Sequence, residues 1–297
     1  MPLDLGPITG AQHAPDDAAM RTLALLLAAA LAWPAAAQTL DKVRKSGTLT
    51  LGYIEGAAPF SYVDANGAPQ GYSVDLCRAV ADAIAEQLGR TLKTRWTKLT
   101  IQNRIDAVRR GQVDLECSTT TWTLARQKLV DFSLVTFVDG GSILSKVDAP
   151  MGRIADYGGK RIAVLQDTTT ERALREALAR ALVNAEVVTV KARDEGLELL
   201  RQSQVDGFAA DRTTLIGVVA KRAAGDVFKL LEEDFSIEQY ALMLPRGDAD
   251  FRLAVNRGLA RLYRSGDIRR IYDRSLGPLG PPSLLLSATY FIQSLSE

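Results

Sequence analysis

Apolar residues recur along the chain at two spacings, every second position or every third to fourth, and the change from one to the other marks the elements. Thr48–Tyr53 alternates and then meets Gly56 and Pro59, as a strand feeding a loop does. Leu76, Cys77, Val80, Ile84 and Leu88 fall on one helical face, with Ser73 as a candidate cap and Gly89 as the stop. A strand near Leu92–Trp96, a helix near Gln102–Arg110 stopped by Gly111, and a strand over Val113–Cys117 complete a β-α-β-α-β order. That order predicts a parallel sheet with helices on its faces.

The same order restarts further on. Arg161–Leu165 reads as a strand, Asp167-Thr168-Thr169 as a cap, and Glu171–Leu182 as a helix with Leu174, Leu178 and Leu182 on one side. Val187–Val190, Asp194–Gln202 and Val205–Ala210 follow as strand, helix and strand, ending at Asp211. Between the two units the chain runs extended from Phe132 to Val138, through Gly140-Gly141, to Lys146, and it returns extended over Glu238–Leu244 before helices at Ala249–Ser265 and Asp267–Tyr272. The fold class that follows is α/β with two lobes joined by two extended crossings, a hinge, with ligand held at the carboxyl ends of the strands. The expected division is an upstream extension and export segment over 1–37, lobe 1 over 38–141 and 238–276, lobe 2 over 142–237, and a tail over 277–297. In the tail, Leu284–Leu286 and Tyr290–Ile292 are expected to cover exposed core.

Composition changes this picture little. With 47% hydrophobic and 24% charged residues the 297-residue chain is an ordinary globular one, large enough for two cores. Its formal charge of +1 becomes +3 without Asp4, Asp16, Asp17 and Arg21, which implies no broad basic field for nucleic acid. Met20-Arg21-Thr22, the apolar run Leu23–Trp33 and then Pro34-Ala35-Ala36-Ala37-Gln38 have the three parts of a secretory signal. Met20 is therefore the expected start, cleavage is expected near Ala37-Gln38, and the periplasm is the expected compartment. That compartment permits disulfides, but Cys77 and Cys117 both sit in apolar contexts, and two buried free thiols are the expected state, with a bridge as the alternative. The single histidine, His13, falls in the discarded segment, so neither a metal site nor a cofactor is expected.

The chemistry concentrates at residues 115–133, a buried strand ending at Cys117, a turn of hydroxyl residues and a short helix carrying Arg126. Free N–H groups at a helix start attract an anion, Thr119, Thr120 and Thr121 offer short polar side chains, and Arg126 presents a planar fork to a carboxylate. An N-capped helix with a surface arginine is the plain alternative.

From Gln102 to Ser133, and more widely through Pro59-Phe60-Ser61-Tyr62, Gly71-Tyr72-Ser73-Val74-Asp75-Leu76 and Gln166-Asp167-Thr168-Thr169-Thr170-Glu171, the chain resembles the polar amino-acid family of periplasmic solute-binding proteins. It is most similar there to the glutamate/aspartate and general L-amino-acid receptors of ABC importers. The resemblance implies the type II periplasmic binding protein fold. It also implies an L-amino acid as ligand, an inner-membrane ABC permease with its cytoplasmic ATPase as partner, and a monomeric, non-enzymatic receptor. By the same resemblance Arg126 and the backbone N–H groups of Thr121 and Thr168 hold the α-carboxylate. Asp211, the Thr121 hydroxyl and the Thr119 carbonyl hold the α-ammonium. Asp211 and Thr168 as mere helix caps are the competing reading. Arg104 matches an arginine that faces a side-chain carboxylate. Ile54 and Glu195 stand where acidic receptors are expected to carry an arginine and a histidine, which predicts that acidic amino acids and their amides bind within a modest ratio of one another, with glutamate or aspartate slightly preferred. Ile54, Ile101, Ser118 and Glu195 are the candidates for the pocket wall, and Asp167 replaces the glycine usual at its position.

Two other classes compete. The scaffold is similar to that of a periplasmic cyclohexadienyl dehydratase, in which case Glu116 or Glu195 becomes a general acid; no nucleophile–base pair accompanies them in the sequence. The sensory module of a kinase or of a lytic transglycosylase requires further domains.

Overall fold

One antiparallel ribbon splices two runs of parallel strands. The structure, a computed structural model, describes residues 39–221 and 227–296, so the expected export segment and His13 lie outside the described residues. The chain runs α1 (Thr39–Ser46), β1 (Thr48–Ile54), the hairpin β2 (Tyr62–Val63) and β3 (Pro69–Gln70), α2 (Tyr72–Gln87), β4 (Lys93–Leu99), α3 (Arg104–Arg109), β5 (Leu115–Glu116), α4 (Leu124–Gln127) and β6 (Asp131–Lys146). Then come β7 (Arg161–Leu165), α5 (Thr169–Arg180), β8 (Glu186–Val190), α6 (Arg193–Arg201), β9 (Gly207–Asp211), α7 (Arg212–Lys221) and β10 (Phe228–Leu230). β11 (Ser236–Leu244), α8 (Ala249–Ser265), α9 (Ile268–Leu276) and α10 (Leu284–Ile292) close the chain.

Among the described residues one sheet has the order β4-β1-β5-β11-β6-β9-β7-β8, with β10 also on β6. β1 is parallel to β4 and β5, and β7 is parallel to β8 and β9. β6 and β11 run antiparallel from Asp131 opposite Leu244 to Gly141 opposite Ser236, and β6 then continues against β9. At about 3.3 Å per residue a 16-residue strand is long enough to serve both sections. Each section has its own core, one around Leu49, Leu76, Leu242 and Val255, the other around Ala163, Leu197, Phe208 and Leu215.

Local chemistry sets the boundaries. α2 is capped by Gly71, not by Ser73: Gly71 has φ 116°, and a Cβ there would lie 2.4 Å from the Phe60 carbonyl oxygen. Ser73 sits inside the first turn and donates to the Ser118 carbonyl at 3.0 Å, tying the helix to the hydroxyl-rich turn. The same close approach brings Cys77 and Cys117 together as a disulfide, Cα to Cα 6.1 Å, and so corrects the expectation of free thiols. Leu182 lies past the end of α5, at φ 55° and exposed, not on its apolar face. Among the described residues of the tail only Leu286 and Tyr290 are buried; Leu284, Phe291 and Ile292 face outward. Gln293 fastens the tail to the ribbon, its side chain accepting from the Val135 N–H at 2.7 Å and donating to the Val135 carbonyl at 2.9 Å.

The disulfide closes a sequence separation of 40 residues. The loop-closure model assigns such a crosslink about 3–4 kcal/mol. The Cys77→Ala/Cys117→Ala variant is therefore expected to lose about that much in urea unfolding, and an unchanged midpoint would show that the crosslink does not limit stability.

Candidate functional site

One turn, one strand end and three helices contribute to a single pocket beside the ribbon. The turn after β5 presents Thr119 and Thr121, α4 presents Arg126, α3 presents Arg104, α5 begins with Thr169 and Thr170 after its cap Thr168, and β9 ends in Asp211. These residues line one pocket together with Ile101, Leu165, Arg193, Ala209 and Ala210. The structure thus brings together Arg104, Ile101, Thr119, Thr121, Arg126, Thr168 and Asp211.

Each polar group is held in place by a second one. Arg126 Nη1 donates to the Thr121 carbonyl at 2.7 Å, and Thr123 caps α4, its hydroxyl accepting from the Arg126 N–H. The hydroxyls of Thr121 and Thr169 both donate to Glu238 Oε2, at 2.7 and 2.8 Å, while Ser236 donates to Oε1. With its proton spent on Glu238, the Thr121 oxygen is left to accept from a ligand ammonium. Asp211 accepts from Thr170 at 2.7 Å and from the Tyr240 hydroxyl. Thr168 does cap its helix, accepting from the Glu171 N–H at 3.0 Å and donating to the Leu165 carbonyl. Its hydroxyl is therefore spent, and what α5 offers a ligand is the N–H groups of its first turn. Asp167 has φ 62°, the left-handed region in which glycine is easiest and aspartate is tolerated.

Three sequence expectations change, and one competing reading falls. Glu195 is exposed, and its carboxylate accepts from the Lys191 N–H at 2.9 Å at the start of α6, outside the pocket. Ile54 is buried with Leu99 and Val113 and borders an adjoining crevice that shares Ile101 and Arg193 with the pocket. Ser118 lies beneath the site, buried, and does not line it. The carboxylate of Asp211 bonds no N–H of the helix that follows; Thr213, in the first turn of α7, donates to Asp139 instead.

Arg193 is the residue that sequence reasoning missed. It opens α6 two residues before Glu195, and a helix start aimed at the pocket was the available signal. Its charge faces Asp211 and Tyr240, which oppose the downward pull of burial on its pKa. Burial likewise lowers Arg126, and it lowers Arg104 to about 10, leaving both cationic at neutral pH. Arg104 is almost fully buried, and its Nε has no acceptor among the described residues. Behind it Glu116 is sealed from solvent and pushed up by burial to about 7, against the pull of Arg104. Burial also raises Glu238. Three arginines thus meet one pocket-lining carboxylate, Asp211.

Residues 49–278 match the model of the bacterial extracellular solute-binding proteins, family 3. The chain is 35% identical to the L-glutamate/L-aspartate-binding protein of Pseudomonas aeruginosa and 31% identical to the glutamate/aspartate import solute-binding protein of Escherichia coli. Each alignment covers 88% of this chain and 89% of the relative. Among solved structures, an ancestral amino acid-binding protein described as a precursor of cyclohexadienyl dehydratase superposes with a TM-score of 0.69 at 28% identity, over 80% of this chain and 99% of that one.

Proposed function

The chain belongs to family 3 of the bacterial extracellular solute-binding proteins, and on that footing we propose that it is the receptor of an ABC amino-acid importer and takes an acidic L-amino acid. It works outside the cytoplasmic membrane and hands its ligand to a permease driven by an ATPase. Among the described residues no helix is long and apolar enough to cross a membrane.

The observation that carries the ligand reading is the convergence of Arg104, Arg126 and Arg193 on a pocket with Asp211 at its inner end. A zwitterion removed from water needs every charge paired. Arg126 and the N–H groups at Thr121 and Thr168 take the α-carboxylate. Asp211, the Thr121 hydroxyl and the Thr119 carbonyl take the ammonium. Arg104 and Arg193 then remain for a second carboxylate, and the amides that the Ile54 and Glu195 positions suggested become the weaker ligands. Calorimetry with L-glutamate, L-aspartate, L-glutamine, L-asparagine and L-arginine tests this; tightest binding of L-arginine would reject it.

The fold is the two-lobed type II scaffold, and the ribbon supports a division into lobes at 38–141 with 238–276 and at 142–237, with 277–297 as a tail. Thr121 and Thr169 come from opposite lobes and meet on Glu238, a residue of the hinge itself, so the arrangement described is a closed one. Small-angle scattering is expected to show a smaller radius on saturation with L-glutamate; an unchanged radius from an open free form would refute closure.

A dehydratase reading has Glu116 as its best candidate general acid, since burial pushes it up to about 7 and so keeps a proton on it near neutrality. Glu116 does not line the pocket, however, and Glu195 is committed to a helix start. Prephenate and arogenate are expected to remain unconverted, and product formation from either would reinstate the enzyme.

A further inference from the structure

Behind Asp211 lies a relay of three side chains from three strands. Tyr240 of β11 bonds Asp211, at the end of β9, through its hydroxyl, and the same hydroxyl oxygen lies 3.3 Å from Oδ2 of Asp139 in β6. A phenol has one proton to donate. When Tyr240 gives it to Asp211, the contact with Asp139 is a hydrogen bond only if Asp139 brings a proton of its own; otherwise a carboxylate oxygen faces the lone pairs of a phenol. The other oxygen of Asp139 accepts the Gly140 N–H at 2.9 Å and the Thr213 hydroxyl at 3.0 Å, whereas Oδ2 accepts only a share of the Thr213 N–H, which lies 3.3 Å from each oxygen. The proton therefore belongs on Oδ2.

The charged surroundings agree. Asp139 is buried and faces Asp211 from β9 and Tyr240 from β11, with Glu238 opposite it in the ribbon register. Arg193 of α6 faces Asp211 and Tyr240, and the Arg212–Asp234 pair, 2.6 Å apart, lines the groove on the other side of Asp139. Burial and the charge of Asp211 together push Asp139 up to about 7.

We propose that Asp139 is a positioning residue for the ammonium subsite, protonated in the ligand-free protein so that Tyr240 aims its proton at Asp211, and releasing that proton to solvent when an ammonium is drawn against Asp211. The inference rests on the reading of Asp211 as the ammonium partner. The cation favours the ionised form of Asp139, so its pKa falls on binding, a proton leaves, and affinity rises with pH through the value of the free protein. A fall of about one unit corresponds to a tenfold limit in affinity.

The test compares wild type with Asp139→Asn, whose amide keeps both a donor for Tyr240 and an acceptor for Thr213 but cannot titrate. The infrared difference between the ligand-free proteins, wild type minus variant, is expected to contain a protonated-carboxyl band that fades between about pH 6 and 8, the contributions of Glu116 and Glu238 being common to both and cancelling. A difference spectrum without that band overturns the proposal. This arm needs no ligand, so a failure of L-glutamate to bind would count against the amino-acid reading alone. Calorimetry with L-glutamate in buffers of different ionisation enthalpy is expected to release about half a proton more near pH 7 from wild type than from the variant. Over about pH 6 to 8, wild type should gain about three- to tenfold more affinity than the variant. Glu116 and Glu238 titrate in both proteins and cancel in the comparison, so equal release and equal pH dependence overturn the coupling. Should Asp139→Asn not fold, Thr213→Val removes a donor that favours the ionised carboxylate and is expected to move the infrared midpoint upward; an unmoved midpoint overturns the proposal.

Discussion

Arg126→Met is expected to weaken L-glutamate binding by more than a hundredfold, about 3–5 kcal/mol, while the protein stays folded. The loss is large because two acceptors share one guanidinium. Nη1 already supports the Thr121 carbonyl at 2.7 Å, so the arginine fixes the turn whose N–H the ligand also uses. Methionine retains the apolar stem and removes every donor, leaving an α-carboxylate enclosed with only backbone N–H groups. Folding should tolerate the change, since α4 has no buried residue and Arg126 is bonded only within its own segment. Calorimetry and thermal unfolding separate the two effects. Affinity kept within about threefold, or roughly 0.7 kcal/mol, would show that the α-carboxylate is held elsewhere.

Much of the architecture was legible because it rests on periodicity. The apolar face of α2, the span of α8, the Gly89 and Gly111 stops and the two extended crossings are local patterns, and they stand in the structure close to where the residues placed them. What was not legible depended on approach in space. The Cys77–Cys117 bridge needs α2 seated on the end of β5, which Ser73 and Ser118 accomplish across 45 positions of sequence. Arg193 and Glu195 were confused for a related reason. Both lie in the first turn of α6, and only its orientation decides that the arginine lines the pocket while the glutamate turns back to the Lys191 N–H. Asp139 carried no sequence signal, because its surroundings are assembled from β6, β9, β11 and α7.

That exchange of Glu195 for Arg193 sharpens the expected selectivity toward acids. With one arginine opposed by a glutamate, acids and amides should bind within a modest ratio of one another; with Arg104 and Arg193 together, a side-chain carboxylate gains two cations and an amide gains little. Arg193→Met is expected to cost L-glutamate about 2–4 kcal/mol, roughly thirty- to a thousandfold, and L-glutamine less than about fivefold. Arg104→Met should act in the same direction. It also removes the charge that opposes the upward shift of Glu116, so Glu116 is expected to stay protonated and neutral, which spares the fold an unpaired buried charge. Glu195→His is the control: its carboxylate serves a helix start outside the pocket, so the glutamate-to-glutamine affinity ratio should stay within about twofold of wild type while the start of α6 weakens slightly. Competition binding of the two ligands to all four proteins decides the matter. Equal losses for acid and amide in Arg193→Met would mean that Arg193 serves Asp211 and the pocket's shape, and that Arg104 alone meets the side chain.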